Sequence, residues 1–121
     1  MRAVRLSLGI LVSTAALASA VSGSAMAQPA TSGAGAMRCT VVIGRLSSQK
    51  SDERMVVLSW VQGYLAGVAS TRAALSANSG TAEVPEYDAL GPRVLMLCKA
   101  QPTTDLHHVA TQFFASLPSG R

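Results

Sequence analysis

The chain has 121 residues, of which 49% are apolar, 4% aromatic and 13% charged, with a formal net charge of +4. This length suits a single domain of modest core. Arg38, Arg45, Lys50, Arg54, Arg72, Arg93 and Lys99 are dispersed rather than clustered and no aromatic platform accompanies them, which argues against a nucleic-acid partner.

Arg2 and Arg5 open the chain, an apolar run from Leu6 to Val21 follows, and small residues lead to Ala25-Met26-Ala27. A charged start, an apolar middle and an A-x-A end are the parts of a secretory signal peptide, predicted here over residues 1–27. Ala18-Ser19-Ala20 offers a second cleavage site, but it would cut into the apolar run, so cleavage after Ala27 is preferred. The run is short for a membrane span of about 20 residues and carries Ser7, Gly9, Ser13 and Thr14, so no stable membrane insertion is expected after processing. The expected location is periplasmic or secreted. Removal of Arg2 and Arg5 leaves eight cations against six carboxylates, a net charge of about +2.

Residues 28–37, rich in Gly, Ala, Ser and Pro, read as a flexible leader, and 38–118 as a single helical domain. Cys39-Thr40-Val41-Val42-Ile43 is β-branched and fits either a short strand or a helical turn. Residues 47–51 are polar and read as a loop. A long helix follows, with Ser51 or Asp52 as N-cap and Asp52 and Glu53 favourably placed against the helix dipole. Val57, Trp60, Val61, Tyr64, Leu65, Val68 and Leu75 recur at helical spacing as its buried stripe. Ser59, Gly63, Gly67 and Thr71 form a second ridge. A glycine inside a helix costs about 1 kcal/mol against alanine, so the pair suggests a packing role. The favoured role is close approach of another helix of the same chain, and a homodimer seam is the alternative.

Asn78-Ser79-Gly80 is expected to end this helix and open a loop through Pro85. Pro92 fits a first helical position, which predicts a third helix over Pro92 to Ala100, stopped by Pro102. The last helix is predicted to begin at Thr103 or Thr104, with Asp105 in its first turn. Leu106, Val109, Ala110, Phe113, Phe114 and Leu117 give its apolar stripe, and Pro118 stops it.

Cys39 and Cys98 are the only cysteines. In an oxidising compartment such a pair normally bonds, and only one connectivity exists. The alternatives, a reactive thiol or a metal site, are disfavoured because C-x-x-C is absent and two cysteines do not close a tetrahedral zinc site. His107 and His108 are adjacent, point about 100° apart on a helix, and read as solvated rather than as a metal site. Glu83, Glu86 and Asp88 read as solvated loop acids. No G-x-S-x-G elbow, phosphate loop or metal-ligand set is visible, so catalysis and catalytic residues are not expected.

Cys39, then Trp60-Val61-Gln62-Gly63-Tyr64-Leu65-Ala66-Gly67, then Leu97-Cys98-Lys99-Ala100-Gln101-Pro102, then Leu106 and Phe113, resemble the HdeA/HdeB family of small periplasmic acid-stress proteins. That resemblance implies a small all-α, orthogonal bundle of about three to four helices clasped by a Cys39–Cys98 disulfide. It assigns motif and packing roles to Trp60, Gly63, Tyr64, Gly67 and Pro102. It further implies no cofactor, a capacity to form homodimers, and chaperone binding of unfolding client proteins once acid exposes apolar surface. Full protonation would take the processed chain from about +2 to about +10, the direction such a switch needs. Gly63-Tyr64-Leu65-x-Gly67 and the later Cys and Pro also resemble the Rap/Tai immunity proteins. That likeness implies binding to a secreted peptidoglycan amidase toxin through loop residues between Asn78 and Asp88.

Overall fold

A computed structural model describes residues 31–76, 80 and 82–119. The predicted signal segment 1–27, the first residues of the leader, and Asn78 and Ser79 lie outside the described residues. Among the described residues four helices make the fold: α1 (Cys39–Leu46), α2 (Ser51–Leu75), α3 (Tyr87–Ala100) and α4 (Leu106–Ala115), preceded by a 3-10 turn at Gly33–Ala36. Among the described residues the only β-pairings are two isolated bridges, Arg38 with Asp105 and Ala82 with Ser119. The result is a small all-α bundle clasped by one disulfide.

The ambiguity at Cys39–Ile43 resolves to helix. Cys39 and Val42 are buried and Ile43 and Leu46 half-buried, an i, i+3, i+4, i+7 stripe that prevails over the β-branched composition. Eight residues are too few for a stable isolated helix, and α1 has no side-chain N-cap. Its first N–H is satisfied from across the fold instead: Cys39 N donates to Thr104 O at 2.8 Å, and Leu106 N donates to Met37 O at 2.9 Å.

For α2 the N-cap position belongs to Lys50 rather than Ser51 or Asp52, and no side chain caps it. Lys50 N donates to Ser48 Oγ at 3.1 Å, while Asp52 and Glu53 occupy the first turn. Carboxylates in that turn complement the helix dipole without hydrogen-bonding as caps. The helix ends at Leu75, earlier than Asn78. Leu75 itself, expected in the buried stripe, is 81% exposed. A helix of 25 residues outruns neighbours of 14 and 10, and Leu75 is its last residue.

The third helix begins at Tyr87, five residues before its predicted start, and places Pro92 inside. Proline there removes one i→i−4 hydrogen bond and costs about 3 kcal/mol. Extending the helix backwards buries Leu90 one turn before Val94 and Cys98, all three fully, and that burial outweighs the local penalty. In α4, Asp105 is the N-cap rather than a first-turn residue, its Oδ1 accepting from His108 N at 2.8 Å. The connection from α3 is a turn in which Thr104 N donates to Gln101 O at 3.2 Å, with exposed Pro102 at the second position that its fixed φ favours.

The core joins Val42 of α1, Val57, Leu58, Val61 and Leu65 of α2, Leu90 and Val94 of α3, and Leu106, Val109, Phe113 and Phe114 of α4. The Cys39–Cys98 disulfide, with Cα atoms 4.9 Å apart, lies fully buried among them. It ties the first helix to the end of the third.

Candidate functional site

The helix α2 carries most of the residues singled out in the sequence, and the structure sorts them onto different faces. Val57, Val61 and Leu65 point into the core. Trp60 and Tyr64, one turn apart, stack with ring centroids 5.4 Å apart and planes at 12°. Both meet His107 of α4 nearly at right angles, at 5.2 Å from Tyr64 and 6.4 Å from Trp60. Tyr64 Oη and Thr111 Oγ1 share a hydrogen bond of 2.9 Å. His107 is therefore half-buried against aromatic rings rather than solvated. His108 is the exposed member of the pair, its Nε2 accepting from the Gln112 amide at 3.0 Å.

The segment read as a flexible leader supplies the last wall of this cluster. Gly35 is buried with its backbone against the Trp60 indole, and a Cβ built there would overlap the ring, 2.8 Å from Cε2. Composition hid this turn, because small residues fit a tight contact and a loose linker equally well. Gly35→Ala is expected to push the turn off the indole at a cost of about 1–3 kcal/mol. Trp60 is the single tryptophan. Its fluorescence maximum should shift to the red in the variant, and an unchanged spectrum and melt would show that the turn does not cover the ring.

Gly63 and Gly67 do something different from the intramolecular packing expected of them. Both are exposed, and a Cβ on either meets nothing within 4 Å. The ridge Ser59, Gly63, Gly67 and Thr71 faces solvent because Leu65 and its stripe occupy the opposite side of the helix. Gly63→Ala and Gly67→Ala in the monomer are each expected to stabilise α2 by about 1 kcal/mol, read as a higher urea midpoint.

From Met55 to Thr71 every exposed residue of α2 is uncharged: Met55, Val56, Ser59, Gly63, Ala66, Gly67, Ser70 and Thr71. Val56, Ser59, Gly63, Ala66 and Ser70 follow one another at spacings of three and four, so they form a continuous seam. Met55 is 55% and Val56 44% exposed.

No protein-family model matches the chain, and neither the curated proteins nor the solved structures contain a match to it.

Among the described residues no three His, Cys, Asp or Glu side chains converge as a metal site, and no helix is long and apolar enough to cross a membrane. Two arginines shield the adjacent phenylalanines of α4. The Arg72 guanidinium sits 4.8 Å from the Phe114 ring centre and Arg93 sits 5.7 Å from that of Phe113. Neither pairing was legible in the sequence, because each joins residues on different helices at no characteristic spacing. The one ion pair among the described residues, Lys50–Glu53 at 3.5 Å, is a solvated i, i+3 contact worth less than about 1 kcal/mol.

Proposed function

We propose that this chain is an exported, periplasmic or secreted, protein-binding domain that acts as an acid-stress chaperone, in keeping with its resemblance to the HdeA/HdeB family. The observation that carries the protein-binding part is the outer face of α2, a long exposed surface without a charge. Charged residues are depleted at the centres of protein interfaces, and exposed apolar area concentrates there. A structural disulfide agrees with an oxidising compartment.

The acid-responsive part rests on charge. Protonation of the six carboxylates and both histidines leaves the processed chain at about +10, and self-repulsion of that size loosens a small core. The inner stripes of α2 and α4 are the apolar surface that loosening would release. The disulfide keeps α1 on α3 meanwhile, so release does not become complete unfolding. Near pH 2–3, below ordinary carboxylate pKa values, a several-fold excess of the protein is expected to suppress aggregation of an acid-labile client. Light scattering that rises equally with and without the protein would refute the chaperone reading.

A further inference from the structure

Away from the Trp60 cluster, an apolar cleft of about 350 Å³ opens between α1, α2 and α3, lined by Leu46, Arg54, Leu58, Gly91, Pro92 and Leu95. Its size falls within the roughly 300–1,000 Å³ of small-ligand sites. Arg54 is the one charged residue in the lining. One of its guanidinium nitrogens donates to Ser48 O, and among the described residues no carboxylate pairs with it. The remaining donors keep a planar fork suited to bidentate recognition of a carboxylate.

The same cleft is where the sequence departs most from helix rules. Gly91 and Pro92 are consecutive inside α3, and together they disfavour that helix by about 4 kcal/mol relative to alanines. Internal packing does not require the glycine: a Cβ at position 91 would meet only Leu58 Cδ2, at an ordinary 3.8 Å. What the missing side chain does is leave the cleft open above Leu58. Locally unfavourable residues concentrated at one place mark a site whose use lies outside folding.

We propose that this cleft binds a fatty carboxylate, its alkyl chain along Leu46, Leu58 and Leu95 and its headgroup on the Arg54 guanidinium. An apolar lining that carries a single cation complements an apolar chain that carries a single anion. A neutral alcohol of the same length would gain the burial without the charge-assisted hydrogen bonds.

The test uses the full disulfide-bonded protein at neutral pH, titrated calorimetrically with decanoate below its micelle concentration and with decanol in parallel. Decanoate is expected to bind more tightly than decanol. Arg54→Gln should weaken decanoate binding by roughly tenfold or more while leaving decanol unchanged. Gly91→Leu should abolish binding of both while a thermal melt shows the fold retained. Equal affinity for the two probes, or decanoate binding unaffected by Arg54→Gln, would overturn the proposal. In the unmodified protein, methyl resonances of Leu46, Leu58 and Leu95 should shift on adding decanoate. Shifts confined to other residues would overturn it independently of how the variants fold. None of these outcomes bears on the acid chaperone assay, so the two readings stand or fall separately.

Discussion

Replacing both Cys39 and Cys98 with serine is expected to remove about 4 kcal/mol of stability, leaving the domain only marginally folded at ambient temperature. The bond closes a loop of 59 residues, and the chain-entropy treatment of such a loop gives a stabilisation of about that size. A domain this small has a net stability of about 5 kcal/mol or little more. The loss should fall first on α1, which is eight residues long, has no side-chain cap and is held at its start by one hydrogen bond to Thr104. Urea unfolding followed by circular dichroism measures the effect. A double variant whose midpoint stays close to that of the oxidised protein would show that the four helices hold together without their clasp. Both sulfurs are fully buried, so reduction of the native protein should be slow in buffer and fast in denaturant.

Phe113→Ala is expected to cost about 3–5 kcal/mol, the usual range for removing a fully enclosed aromatic side chain. Phe113 is 2% exposed and Phe114 beside it 5%, and together they fill the space between α4 and its neighbours. Truncation leaves a cavity and strands the Arg93 guanidinium over empty space. The expected readout is a large drop in urea midpoint with the disulfide intact and the slope little changed. A loss under about 1 kcal/mol would mean that the α4 stripe is less tightly enclosed than its burial states.

These two effects come from features of different legibility. The α4 stripe was readable because Leu106, Val109, Ala110, Phe113 and Phe114 repeat with the helical period, and all five are buried. The cysteine pair was readable because two cysteines allow one bond. The start of α3 was not: a Gly-Pro pair signals a helix boundary locally, and only the burial of Leu90 against other helices reveals that the chain is helical five residues earlier. Likewise the N-cap of α2 fell to Lys50, because capping preferences of about 1 kcal/mol yield to where the loop from α1 delivers the chain.

At the candidate site the division is sharper. Trp60 and Tyr64 were recognisable as a pair because they lie one turn apart, but their partner His107 was not, since it comes from another helix. The contact between Gly35 and the indole joins positions far apart in the chain, and glycine carries no side-chain signal of what lies beside it.

Periodicity and cysteine count by themselves determined the helical class, most of the buried stripes of α2 and α4 and the covalent link, because each depends on spacing along one segment or on a count. Only the tertiary structure decided that the Ser59, Gly63, Gly67 and Thr71 ridge of α2 meets water, what covers Trp60 and where α3 begins. Those outcomes depend on how separately formed helices exclude water from one another, and that free energy belongs to pairs of segments rather than to either sequence alone.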